Sequence, residues 1–137
     1  MAGSVILAVD PGREKCGVAV CSAAGVLAKA IAVPADLPVL VRQWIDAHNV
    51  SGVVVGDLTG SDAVVRALEP VVGSVPVSRV DEAGTTLLAR ARYFREHPPS
   101  GWRRLLPVGL QTPPEPYDDY VAILLAERAL GDRSPVA

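Results

Sequence analysis

The sequence predicts an α/β domain: a five-stranded mixed sheet flanked by helices, antiparallel on one side and parallel on the other. Three observations lead there. Three apolar segments between residues 4 and 33 follow one another through links too short to hold a helix, which makes an antiparallel meander. Two later apolar segments, at 52–57 and 76–82, are each preceded by a stretch of helical periodicity. Strands that alternate with helices in this way run parallel and are joined by right-handed crossovers.

Residues 4–10 contain the run Val5 to Val9, whose composition suits a short strand buried on both faces. Pro11-Gly12 forces a turn, because proline fixes φ and glycine tolerates positive φ, so Asp10 is held at the end of the strand. Its carboxylate either caps the turn or is presented rigidly enough to hold a metal ion. CGVAVCS at 16–22 and GVLAKAIAV at 25–33 form the next two strands, with a hairpin at Ala23, Ala24 and Gly25. Asp36 is expected to cap a helix carrying Leu37, Leu40, Val41, Trp44 and Ile45 on one face. After the strand at 52–57, a second helix runs from about Ser61 to Val72 and leads to the strand at 76–82. Thr85 or Thr86 caps a third helix with Leu87, Leu88, Ala91 and Phe94 along it, which Pro98-Pro99 ends. A Pro- and Gly-rich stretch at 98–117 is long enough to be a substrate-facing segment. Asp118 or Asp119 opens the last helix, whose run VAILLA at 121–126 is apolar on nearly every side and calls for deep packing.

Composition bounds the function classes. A chain of 137 residues corresponds to one domain, 1–137, half of it apolar and a fifth charged, which separates it from disordered segments. There is no basic leader followed by a long apolar core and no run of about eighteen apolar residues, so neither export nor membrane spanning is expected and a cytoplasmic location is. Cys16 and Cys21 lie an odd number of residues apart on one strand and therefore on opposite faces, as buried free thiols rather than a disulfide or zinc site. His48 and His97 fall at helix ends and read as exposed polar residues rather than metal ligands. The formal charge of −2 does not announce a nucleic-acid binder. Arg90, Arg92, Arg95, Arg103 and Arg104 are nevertheless concentrated in one region, either as a solvated face or as a phosphate-contacting patch.

The acids are the informative residues. In an open sheet with parallel central strands, the loops that leave neighbouring carboxyl ends converge. The first strand ends at Asp10, the fourth at Asp57 and the fifth at Asp81-Glu82, and Asp118 and Asp119 open the last helix. Two unit charges about 4 Å apart repel by roughly 4 kcal/mol at an effective dielectric near 20. A hard dication that accepts carboxylate oxygens, Mg²⁺ or Mn²⁺, is the natural counter-charge.

Four ordered blocks, DPGREKCGVAV, VVVGDLTGS, VDEAGTT and YDDYVAILLAERAL, resemble the YqgF (RuvX) group of Holliday junction resolvases, relatives of RuvC within the ribonuclease H-like fold. The resemblance covers nearly the whole chain. It implies a sheet in the order 3-2-1-4-5 and a nuclease with two divalent ions, Mg²⁺ or Mn²⁺. The implied substrates are structured nucleic acid: ribosomal RNA precursor, branched DNA, or both. It assigns the catalytic and metal-binding acids to Asp10, Glu82 and Asp118 or Asp119, with Asp57 either a further ligand or a turn residue capping Thr59 or Gly60. The group's basic residue after the first turn falls on Lys15, with Arg13 near it; Arg90, Arg103 and Arg104 complete the expected nucleic-acid contacts. One departure is plain: Ala83 stands where the group's VDER block has arginine. Resolving a two-fold symmetric junction requires a homodimer, whereas RNA trimming suits a monomer. The alternative reading is a catalytically silent nucleic-acid-binding protein of the same fold.

Overall fold

Five strands lie side by side in one sheet: β1 (Val5–Asp10), β2 (Cys16–Ser22), β3 (Gly25–Ala32), β4 (Gly52–Gly56) and β5 (Val77–Val80). Their order is β3-β2-β1-β4-β5. β1 and β3 are antiparallel to β2, while β4 is parallel to both β1 and β5, so the meander and the crossovers are as expected. The structure is a computed structural model that describes residues 3–58, 60–99, 101, 105, 106, 113 and 116–133. Thr59, Trp102, Arg103, Arg104 and most of the Pro- and Gly-rich stretch lie outside the described residues.

Side-chain alternation along β1 sorts the core into two layers. Ile6 and Ala8 face the side covered by α3 (Thr85–Glu96) and α4 (Asp118–Arg133), where Ala19, Cys21 and Val54 join Phe94, Ile123 and Leu125. Leu7 and Val9 face α1 (Leu37–His48) and α2 (Ser61–Val72), with Val18, Val53, Val55, Val41 and Leu68. This two-sided cover explains why the central strands read as unbroken apolar runs. Cys16 and Cys21 are free and buried in different layers, and burial pushes both thiols up, Cys21 to about 11. The last helix is packed as deeply as its composition demands, with Ala122, Leu125 and Ala126 fully enclosed.

Local details depart from expectation at the helix starts. Asp36 makes no capping bond through its side chain; a 3-10 turn over Pro34–Asp36 leads into α1 instead. Neither Thr85 nor Thr86 caps α3: Gly84, at φ +77°, occupies that position and Thr85 is the first helical residue, its Oγ1 donating to the Glu82 carbonyl at 2.7 Å. β5 stops at Val80, which leaves Asp81 and Glu82 beyond the ladder. His97 is exposed and stacked on Tyr93 as a surface residue would be, whereas His48 is half-buried beside Trp44.

The close approach of the α4 start to β2 depends on one residue. A Cβ added to Gly17 would fall 1.8 Å from the Asp118 carbonyl oxygen, so only glycine lets the helix start touch β2. Gly17→Ala is therefore expected to destabilise the fold by about 1–3 kcal/mol or more, because helix backbone rather than a flexible side chain must move. Urea denaturation compared with the parent chain checks this.

Candidate active site at the carboxyl edge of the sheet

Two glycines and a strand end bring three acids together. Asp10 closes β1 opposite Gly17 of β2, and the α4 start that rests on Gly17 carries Asp118 to the same corner. On the other side, β4 ends in Gly56, where an added Cβ would lie 2.3 Å from Glu82 Cδ. The Glu82 side chain thus folds over the end of β4 into the space a side chain at 56 would take. It is 5% exposed. Asp10 lies beside Glu82, and burial, then hydrogen bonding with Glu82 and its charge, then the Asp118 charge, push Asp10 up to about 8.

Neighbouring backbone holds Glu82 in place. Its Oε2 accepts the Leu58 N–H at 3.0 Å, and its own N–H donates to Asp57 Oδ1 at 3.2 Å. The Asp57 N–H in turn donates to the Val80 carbonyl. Asp57 thus pins the loop that carries Glu82, a different partner from the Thr59 or Gly60 expected for a turn cap. Arg128 is the residue that sequence reasoning missed. From α4 its Nη1 donates to the Asp81 carbonyl at 2.8 Å and its Nη2 to the Ala83 carbonyl at 2.6 Å, clamping the residues on both sides of Glu82. The only available signal was indirect: position 83 lacks the arginine of the resembled block, and a guanidinium reaches that loop from elsewhere.

The remaining expected site residues separate. Consecutive helical positions point about 100° apart, and of the two acids that open α4 it is Asp118 whose charge acts on Asp10. Asp119 is turned away and 7% exposed: Oδ2 takes Lys29 Nζ at 2.9 Å and Oδ1 takes the Tyr120 N–H at 3.1 Å. Lys15 Nζ stands 3.9 Å from Asp118 Oδ2 in an exposed pair, and Arg13 is exposed beyond it. Arg90 is half-buried; its Nε donates to Tyr117 Oη at 2.9 Å and braces the residue before α4. Arg92 is likewise engaged with Glu127 and Glu96, which fastens α3 to α4. Arg103 and Arg104 lie outside the described residues.

The donors at this corner are all carboxylate oxygens, the chemistry that suits a hard dication. Among the described residues no group of three His, Cys, Asp or Glu side chains is close enough together to hold a metal ion as it stands. The cluster is a close carboxyl pair, Asp10 and Glu82, with a third carboxylate beside it.

Comparison with solved structures identifies the fold. The RuvC structure from Thermus thermophilus superposes with a TM-score of 0.59 over 94% of this chain and 95% of that one, at 14% identity. The fold is therefore ribonuclease H-like. YeaZ from Pseudomonas aeruginosa is 25% identical over 69% of this chain and half of its own, with a TM-score of 0.45. The PPX-GPPA enzyme of Aquifex aeolicus is 11% identical over 73% of this chain and 43% of its own, with a TM-score of 0.41. The sequence matches no protein-family model and no curated protein.

The raised Asp10 has a measurable consequence. Between the ordinary aspartate value of 3.8 and about 8, the folded chain keeps a proton that the unfolded chain has released. Stability is therefore full below that window and falls as pH rises through it, by at most about 1.4 kcal/mol per pH unit for one proton. Asp10→Asn, which cannot ionise, is expected to flatten this slope and to exceed the parent chain in stability at pH 8. Denaturation in EDTA at pH 5 and pH 8 measures both.

Proposed function

We propose that this protein is a divalent-cation-dependent nuclease of the YqgF/RuvC type, which hydrolyses phosphodiester bonds in structured nucleic acid: ribosomal RNA precursor, four-way junctions, or both. The observation that carries this reading is the meeting of Asp10, Glu82 and Asp118, from two strand ends and a helix start, at one edge of a ribonuclease H-like sheet. Two carboxylates in contact cannot both be ionised at neutral pH without a cation between them. Asp10, Glu82 and Asp118 are the residues that would hold Mg²⁺ or Mn²⁺. When bound, such ions lower the pKa of a water and stabilise the departing oxygen of an in-line displacement.

The chain's own contribution is placement. Leu58 N–H fixes one Glu82 oxygen, while Asp57 and Arg128 fix the backbone on either side of it. Release of its proton makes Asp10 an anionic donor at this corner. Lys15, exposed beside Asp118, and Arg13 are the cations next to the acids and are assigned to substrate phosphates. A junction substrate requires two copies of the chain, an RNA end only one. We assign the protein to the cytoplasm on its composition; among the described residues no helix is long and apolar enough to cross a membrane.

The absence of a preformed three-donor group among the described residues, together with Ala83, gives the silent nucleic-acid-binding reading its one support. Cleavage decides between the two. Labelled RNA precursor and four-way junction DNA are expected to be cut in Mn²⁺ or Mg²⁺, and Asp10→Asn to lower the rate at least about a hundredfold, more than loss of an outer-sphere partner does. Binding without cleavage across several divalent ions would favour the silent reading. Separately, Mn²⁺ at a hundred times its Kd is expected to stabilise the folded chain by about 2.7 kcal/mol, seen as a rise in melting temperature that Asp10→Asn removes.

A further inference from the structure

Beside the acidic corner a cleft of about 340 Å³ opens between the β1–β2 turn, the start of α1 and α2. Its walls are Pro34, Leu37 and Val64, with Ala63 and Ala67 along the exposed side of α2. Arg13 stands at its lip. Arg13 is exposed and has no ion-pair or hydrogen-bond partner among the described residues, so its guanidinium is available to a ligand.

Two of the lining residues are glycines that the local backbone requires. At Gly12 a Cβ would lie 2.1 Å from the Lys15 carbonyl oxygen, and Gly60 sits at φ +95° with its Cβ position 3.6 Å from Pro11. Both glycines are close in sequence to the acid site: Gly12 is two residues past Asp10, and Gly60 two past Leu58, whose N–H holds Glu82. The cleft is therefore bounded by the turn that directly follows Asp10. An apolar slot with a cation at its mouth that has no partner among the described residues fits a flat, uncharged ring joined to an anion, and its volume is at the lower end for small-molecule sites. A nucleobase attached to its phosphate has that chemistry.

We propose that this cleft receives one unstacked nucleobase of the strand lying across Asp10 and Glu82, with Arg13 on the adjoining phosphate. The inference rests on the nuclease reading and deepens it by naming the substrate class: a strand with an unpaired base beside the phosphate to be cut. Removing a base from a paired, stacked duplex costs a few kcal/mol, and an unpaired segment avoids most of that cost. Substitutions at Ala63 and Ala67 fill the cleft without entering the core, because both side chains are exposed.

The test uses the full chain in EDTA and a single-stranded oligonucleotide carrying 2-aminopurine, whose emission rises when the base leaves its stack. Saturable binding with a severalfold rise in emission is expected. Ala67→Phe, and independently Ala63→Leu, should abolish the rise while leaving the melting temperature near that of the parent. Arg13→Ala should weaken binding about tenfold. Binding with no rise, or a rise that both filled variants retain, overturns the proposal. Cleavage of the same oligonucleotide in Mn²⁺, measured in parallel, separates the two readings. A cut strand without the emission rise removes the cleft alone. An emission rise lost in both filled variants, with no cutting, removes the nuclease reading and leaves a nucleotide-binding cleft.

Discussion

The constraint that organises this molecule is the contact between two carboxyl groups, Asp10 and Glu82, which a protein avoids unless something offsets their repulsion. Here burial and the neighbouring carboxyl push Asp10 up. Everything around the pair holds it in that contact. Gly56 vacates the space for the Glu82 chain, Leu58 and Asp57 occupy its hydrogen-bonding groups, and Gly17 lets α4 deliver Asp118 alongside. Such an arrangement lowers the stability of the isolated fold at neutral pH, a cost typical of sites arranged for chemistry rather than for packing.

The sheet was legible in the sequence because its signals are local. Short links specify the meander, helical periodicity specifies the crossovers, and double-sided burial leaves β1 and β4 as unbroken apolar runs. The nearness of Asp10 and Glu82 was also legible, since strand order brings the end of β1 and the residues after β5 to one edge, while Asp118 reaches them through the seat of α4 on Gly17. Direction was not. Whether Asp118 or Asp119 faces the corner depends on how α4 is rotated about its axis, and that rotation is set by the fit on Gly17 and by Lys29 drawing Asp119 to the β3 side. Arg90 and Arg92 show the same limit. Their clustering in sequence said nothing about the Tyr117, Glu96 and Glu127 groups that tertiary packing places against them. Helix starts were misread where glycine and 3-10 geometry took the place of side-chain caps, at Gly84 and at Pro34–Asp36.

A second cluster lies behind the first and gives α4 its fixed rotation. Lys29 reaches from β3 to Asp119 and lies 4.9 Å over the Tyr120 ring, whose hydroxyl donates to Glu96 of α3 at 3.0 Å. Sheet edge, last helix and third helix are thus joined by polar contacts a few residues from the acid corner. The ion pair is largely screened from water on the Asp119 side, where the carboxylate side chain is 11% exposed, so its loss would leave a charge poorly solvated.

Because Arg128 grips the loop around Glu82 while the opposite end of the same helix carries Asp118, α4 acts as a strut of fixed length between two of the three acids. A rigid rod rises 1.5 Å per residue whatever precedes it. The distance between Asp118 and the Arg128 grip on the Glu82 loop is therefore set within α4 itself.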